Sequence, residues 1–189
     1  MHPFIKSFLM TAMCLSFVSA GFVHGDIIQC TNLPNALPIS EDAANPTEVV
    51  ISVTTDEPVI DVDILVDVAH DYIDDVIVEI ISPAGTLVRL HDQGGGSNDF
   101  INVIFDDGGA PNGSIPWDSG CRVQPSGPGS LSDLSATSSL GDWTLRCQDI
   151  FAGGATGALS GWCLNTYDQT VSSAVIAPSS FLCRDLGGT

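Results

Sequence analysis

Hydrophobic and polar residues alternate along residues 47–91 with the two-residue period of a β-strand. The clearest stretch is 60–68, where aliphatic side chains fall on one face and Asp61, Asp63 and Asp67 fall on the other. Successive side chains of a strand point to opposite faces, so the pattern predicts a strand with one buried and one wet face. We therefore expect the three aspartates to be solvated.

Turn residues divide the remaining apolar segments into short strands. A Ser-Pro-Ala-Gly break at residues 82–85 separates a predicted strand at 72–81 from one at 86–91, which indicates a β-hairpin. Further strands are predicted at 100–105, 143–149 and 158–167, and a long loop at 106–139. About six to eight strands and no useful amphipathic helix are typical of an all-β, jelly-roll-like antiparallel β-sandwich.

The N-terminus has the pattern of a secretory signal peptide. Lys6 precedes an apolar run, and Val18-Ser19-Ala20 forms a small-residue cleavage site. The predicted organisation is a signal peptide at 1–20, an N-terminal lead at 21–36, the sandwich domain at 37–168 and a C-terminal tail at 169–189. No later apolar run reaches the roughly 20 residues of a membrane span, so we expect a secreted, soluble protein.

The net charge of the chain argues against one class of partner. The chain carries 23 acidic against five basic residues, a formal net charge of −18 at pH 7. Such a field repels phosphate backbones, so nucleic acid is excluded as a partner. Hydrophobic residues make up 44% of the chain, enough for a substantial core.

Nucleophilic and zinc-dependent catalysis find no support in the residue pattern. The histidines beyond the predicted signal, His24, His70 and His91, lack zincin spacing, and no serine stands in a strand-turn-helix setting. His70 and His91 each end a predicted strand, and we expect both to be structural. The chain is therefore predicted not to be an enzyme.

Acidic residues gather where predicted strands meet loops. One group follows the strand at 60–68 and the other surrounds the strand at 100–105: Asp71, Asp74 and Asp75, and Asp99, Asp106 and Asp107. Calcium prefers oxygen-rich sites in loops, and packed carboxylates repel one another without a cation. The alternative is that these carboxylates are solvated or cap turns.

Five cysteines remain beyond the predicted signal: Cys30, Cys121, Cys147, Cys163 and Cys183. No two of them form a C-x-x-C pair, which favours disulfides over zinc or redox motifs in a secreted chain. An odd number leaves at least one unpaired within the chain, and the residues alone leave the pairing open.

A family resemblance emerges from residues 70–86, HDYIDDVIVEIISPAGT. This segment resembles the hallmark stretch of the P domain, or P/Homo B domain, of subtilisin-like proprotein convertases. Further matches follow in the same order: Gly95-Gly96-Ser97, Ile101-Asn102, Phe105-Asp106-Asp107, Gly141-Asp142-Trp143-Thr144-Leu145, Asp149, Thr156-Gly157 and Ser160-Gly161-Trp162. The resemblance covers about residues 37–167.

The resemblance implies a jelly-roll sandwich that normally follows a subtilisin-like or metallopeptidase catalytic domain and stabilises it. Some similar domains bind calcium, and the positions that match their acidic loops are Asp75, Asp106 and Asp107. Asp74 departs from the usual glycine, which places the local geometry of such a site in doubt.

The resemblance also favours a Cys30–Cys163 disulfide, because relatives carry a cysteine near the domain start and another beside the last-strand tryptophan. Alternation places Cys147 on the inward face beside Trp143 and Leu145, and we predict that it is the unpaired thiol. The second bridge stays open.

These features together predict a non-catalytic secreted module that binds or stabilises a protein or polymer partner, a protease being one candidate. Only residues 21–36 separate the predicted signal from the domain, too few for a peptidase. The alternatives are a calcium-dependent extracellular adhesion module and a trans-acting accessory of a separately encoded subtilisin-like protease.

Overall fold

The computed structural model describes residues 27–31, 33–151, 153–154 and 156–167. Within these residues the chain forms ten strands and two 3₁₀ helices, Ile73–Asp75 and Leu131–Leu134. The strands are β1 (Ile27–Cys30), β2 (Leu37–Pro38), β3 (Thr47–Val53), β4 (Asp61–His70), β5 (Val76–Ile81), β6 (Leu87–Asp92), β7 (Phe100–Ala110), β8 (Arg122–Val123), β9 (Gly141–Asp149) and β10 (Gly157–Tyr167). The predicted signal peptide and the predicted tail lie outside the described residues.

Two sheets face each other across the core. The larger sheet has the order β1-β10-β4-β7-β8, with β2 also paired to β10, and the smaller has the order β3-β9-β5-β6. The pairings are antiparallel except that of β7 with β8. The predicted all-β, jelly-roll-like sandwich is confirmed.

The core lies between the alternating apolar faces of both sheets. Val62, Ile64, Val66 and Val68 of β4 are almost completely buried, and they join one cluster with Trp143 of β9. Each such side chain contributes roughly 1.5–3 kcal/mol by leaving water, so this interior dominates the stability of the sandwich. The indole N–H of Trp143 donates a hydrogen bond to the Ser139 carbonyl over 2.8 Å, which satisfies its polar atom.

The prediction that β4 has one wet face is wrong for Asp63, which is only 1% exposed. Strand β4 lies inside its sheet, between β10 and β7, and the helix Leu131–Leu134 packs on it. Asp61 and Asp67 on the same face are partly buried. Alternation identified the two faces correctly, but the second face is covered by parts of the chain distant in sequence.

Two segments differ from the sequence prediction. The strand predicted at 72–81 begins at Val76, because the helix Ile73–Asp75 precedes it. Strand β7 continues to Ala110, five residues beyond the predicted end. The rest of the predicted loop at 106–139 contains β8 and the helix Leu131–Leu134.

The cysteines agree with the predictions. Cys30 and Cys163 are directly opposed in β1 and β10 and form a disulfide. Cys147 is a free, buried thiol, and burial raises its pKa to about 12. Cys121 is disulfide-bonded as well. No helix in the described ranges is long and apolar enough to cross a membrane.

Candidate functional site

The three predicted calcium ligands lie near opposite ends of β4. Asp106 follows Phe105, which pairs with Ile64 near the start of β4, whereas Asp75 lies beyond His70 at the strand's end. At about 3.3 Å per residue, the stretch from Ile64 to His70 is roughly 20 Å long. The described residues contain no group of three Asp, Glu, His or Cys side chains able to hold a metal ion. The structure thus does not join the three into one site, and calcium binding stays a prediction.

Asp106 belongs to a buried charge network at the start of β4. The Arg122 guanidinium donates hydrogen bonds to Asp106 over 2.6 Å and to Asp63 over 2.7 Å, and the Tyr167 hydroxyl donates to Asp63 over 2.8 Å. Burial lowers the pKa of Arg122, but the charge of Asp63 and the hydrogen bonds to both carboxylates raise it more. Burial raises the pKa of Asp63 in spite of Arg122. A single guanidinium therefore offsets part of the charge of two carboxylates here.

The Asp107 carboxylate binds backbone N–H groups of the second 3₁₀ helix. Its two carboxylate oxygens accept hydrogen bonds from the N–H groups of Leu131 and Ser132, over 3.0 and 2.8 Å, at the start of the second 3₁₀ helix. Helix starts leave N–H groups without intrahelical partners, and a carboxylate satisfies them. Asp107 therefore fastens the helix Leu131–Leu134 to β7.

The other end of the sandwich carries three adjoining cavities of about 470, 420 and 270 Å³. Asp71 lines both the first and the second, while Asp99 and Phe100 line both the second and the third. The shared lining residues place the three cavities side by side, and together we call them the acidic groove. Its carboxylates and aromatic side chains are Asp71, Tyr72, Asp75, Asp99, Phe100, Asp118 and Phe151.

Aromatic side chains in the acidic groove are unusually open to solvent. Tyr72 is 52% exposed, Phe100 49% and Phe151 63%. Tyr72 comes from the β4–β5 connection and Phe151 from the β9–β10 connection. They meet because Val76 at the start of β5 pairs with Asp149 at the end of β9.

The negative charge of the acidic groove is not neutralised by a described arginine. Arg89 pairs with Glu79 and Asp92, Arg146 pairs with Glu48, and Arg122 lies in the distant network. Asp71 accepts a weak hydrogen bond from the Thr156 N–H over 3.2 Å. Within the described ranges, no donor hydrogen-bonds the Asp75 carboxylate. Within the part of the chain that the structure describes, the groove is therefore an aromatic surface whose carboxylates have no arginine partner.

His70 lies under the acidic groove as a structural residue. Its Nε2 is 3.1 Å from the Asp149 carboxylate, and its Nδ1 is 2.7 Å from the Tyr72 carbonyl. Gly157 packs so closely on the imidazole that a side chain at that position would collide with the ring. These contacts agree with the predicted structural role and fix the connection that presents Tyr72.

His91 is buried beneath the same end. Its Nε2 lies 3.0 Å from the Ile73 carbonyl, and its ring meets Trp117 edge to face with centroids 4.5 Å apart. Desolvation lowers the pKa of His91. Across the described ranges neither His70 nor His91 hydrogen-bonds a serine hydroxyl, so these residues do not assemble a Ser-His-Asp arrangement.

Sequence reasoning identified Asp71, Asp75 and Asp99 but missed Asp118. It also missed the role of Tyr72, Phe100 and Phe151. A signal was present, since each aromatic residue stands within one or two positions of a strand end and close in sequence to an aspartate. Only the pairing of β5 with β9 and of β4 with β7 shows that these positions share one surface.

Comparison with known proteins identifies the family of the chain. Crystal structures of an Aeromonas sobria serine protease, alone and in complex with a chaperone, match the fold with a TM-score of 0.50 each, at 18% and 17% identity. Each match covers 75% of this chain and 26% of the protease chain, so this chain spans about a quarter of that protein. No curated protein matches significantly. A sequence model of the proprotein convertase P-domain matches residues 59–166, more than half of the chain, and the chain therefore belongs to the proprotein convertase P-domain family.

Proposed function

We propose that this P domain is a non-catalytic module that binds and stabilises a subtilisin-like serine protease. The observation that carries the proposal is the family match over residues 59–166, which spans β4 to most of β10 and so seven of the ten described strands. The same fold occurs in the Aeromonas sobria serine protease, where it accounts for a minor part of the chain.

The site supports binding rather than chemistry. Exposed aromatic side chains in contiguous depressions are typical of interaction surfaces, and the acidic groove presents three of them. The described histidines are engaged in structural contacts, and Cys147 is a buried thiol with a raised pKa, unsuited to nucleophilic attack.

We further propose that the module works outside the cytoplasm. A disulfide between Cys30 and Cys163 persists in oxidising compartments and is rare in the cytosol. The apolar N-terminal run and small-residue cleavage site support export by the secretory route.

An antibody raised against the purified protein tests the proposal in culture fluid of the source organism. The fluid is first treated with a fluorescent fluorophosphonate, which labels the nucleophilic serine of active serine hydrolases. We expect the antibody to precipitate a labelled polypeptide that peptide mass spectrometry identifies as subtilisin-like. An excess of purified protein competing for the antibody serves as the control.

The gel that resolves the precipitate also distinguishes the possible arrangements. Label and antibody epitope in one band indicate a protease joined to the domain, whereas label in a separate band indicates a trans-acting accessory. An unlabelled precipitate from fluid that contains labelled subtilisin-like protease contradicts the proposal. Calcium-dependent retention of the unlabelled protein on cells would then favour the adhesion module.

A further inference from the structure

We propose that the acidic groove binds an extended, arginine-containing segment of a partner protein. The inference goes beyond the stabilising role above and does not depend on it, because it follows from the groove's own side chains. It also assigns the ligand chemistry: guanidinium groups held between carboxylates and aromatic rings.

The first cavity has the composition that a guanidinium requires. Asp71 and Asp75 supply carboxylates, and Tyr72 and Phe151 supply exposed rings around a volume of about 470 Å³. A guanidinium pairs with carboxylates through its planar array of N–H donors and stacks on aromatic faces. Aromatic rings supply no oxygen ligand for a metal ion, whereas they stack on a guanidinium, so the mixed lining favours an organic cation.

The neighbouring cavities extend the same composition along the groove. Asp71 and Asp99 line the second cavity together with Phe100, and Asp99 and Asp118 line the third with Phe100. Alternate side chains of an extended peptide point the same way at intervals of about 6.6 Å, so one chain can present successive cations to successive cavities. A row of adjoining cavities therefore fits a peptide segment better than a single small cation.

Two backbone N–H groups beside the second cavity already have partners. The His70 N–H donates to the Asp99 carbonyl over 2.9 Å, and the Asp71 N–H donates to the Thr156 carbonyl over 3.2 Å. A bound segment cannot replace these contacts by pairing as a new strand here. Side-chain carboxylates and rings are therefore the groups that a ligand meets, which makes recognition a matter of charge and stacking.

The negative charge of the protein favours a positively charged partner segment. The chain has a net charge of −18, and the described arginines pair away from the groove. A basic segment would be steered to the groove and would bring cations to the carboxylates of Asp71 and Asp75. The net charge alone would attract a basic peptide to any part of the surface. The test must therefore distinguish binding at the groove from this non-specific attraction.

The test uses a fluorescein-labelled nonapeptide of alternating glycine and arginine, titrated with the protein in about 150 mM NaCl, where screening over about 8 Å suppresses long-range attraction. Fluorescence anisotropy measures the Kd. The charge variant carries Asp71→Asn and Asp75→Asn. The matched control carries Asp56→Asn and Asp142→Asn, two exposed acids at the opposite end of the sandwich.

A third variant removes the rings without changing the charge, by Tyr72→Ser and Phe151→Ser. Both side chains are mostly exposed and the Tyr72 contacts to His70 are made by its backbone, so the fold is retained, as thermal unfolding will verify. We expect the Kd to rise about fivefold or more in the charge variant and in the ring variant, and less than about twofold in the control.

Three results overturn the inference. The first is absence of peptide binding by the parent protein. The second is an equal loss of peptide affinity in the charge variant and the control, which would show that the net negative charge of the protein, and not the groove, binds the peptide. The third is an unchanged Kd in the ring variant, which would show that stacking on the rings does not contribute to binding. No protease takes part, so the outcome is independent of the antibody experiment.

Discussion

Replacement of Arg122 by methionine tests the buried network at the start of β4. Met keeps much of the length and apolar stem of arginine but removes the guanidinium. Asp63 and Asp106, whose side chains are 2% and 9% exposed, then lose the cation that hydrogen-bonds both of them. The perturbation leaves two nearby carboxylates in a water-poor environment.

The structure sets the size of the expected loss. Removal of one partner from a buried ion pair costs about 3–5 kcal/mol, because the remaining charge is uncompensated. The Arg122 side chain is 24% exposed, so water reaches part of the site, and we expect the lower end, about 3 kcal/mol. For a domain of this size that lowers the Tm by roughly 6–12 °C.

The loss depends on pH with a defined sign. Burial already raises the pKa of Asp63, while the charge of Arg122 lowers it. Without Arg122 the folded-state pKa rises further above the unfolded value of about 3.9, so the folded variant takes up a proton more readily than the unfolded chain. The variant's deficit is therefore largest near neutral pH and shrinks as the pH falls through the raised folded-state pKa.

Urea unfolding of parent and variant at about pH 7 and about pH 5 measures both effects. Arg146→Met is the control. Arg146 pairs with the exposed Glu48 and lies 3.6 Å from Glu79, which keeps its closer ion pair with Arg89, so we expect a loss of at most about 1 kcal/mol. Addition of Asp63→Asn to Arg122→Met should recover part of the loss. A deficit below about 1 kcal/mol, or an equal deficit at both pH values, refutes the reasoning.

Three further predictions concern the Cys147 thiol, the His91 imidazole and the Cys30–Cys163 disulfide. Burial raises the pKa of Cys147 to about 12, so a disulfide reagent should leave it unmodified in the folded protein and label it after unfolding. Labelling at equal rates in both states would contradict its burial. Desolvation lowers the pKa of His91 below 6.5, so the parent should lose stability as the pH falls below that value, by at most about 1.4 kcal/mol per pH unit. Urea unfolding of His91→Gln should lack this component, and an identical slope would refute it. Replacement of Cys30 and Cys163 by serine opens a link across 133 residues and should lower the free energy of unfolding by about 4 kcal/mol, whereas an unchanged urea midpoint would contradict that stabilisation.

Strand positions were predictable because alternation reports burial directly. The strand predicted at 143–149 is β9, Gly141–Asp149, and the inward position of Cys147 followed from the same pattern. The pattern could not show what covers the second face of β4. Asp63 pairs with Arg122, 59 positions away, and no local signal connects the two.

The site was less predictable because strand direction decides which loops meet. Asp75 and Asp106 both flank predicted strands, yet β4 and β7 run antiparallel and place the two near opposite ends. The same topology unites Tyr72 and Phe151, which are far apart in sequence. The sequence of each loop showed which side chains were available there. The order and direction of the strands determined which of these side chains lie together.

The most direct test of the central claim is the heat-inactivation half-life of extracellular subtilisin-like protease activity in the source organism. Parent culture fluid is compared with fluid from a strain that lacks the coding sequence for residues 59–166, with and without added purified protein. A module that binds only the folded protease stabilises it by mass action, so we predict a shorter half-life in the deletion strain and recovery on addition where the protease is separately encoded. A half-life equal in parent and deletion strain would contradict the account.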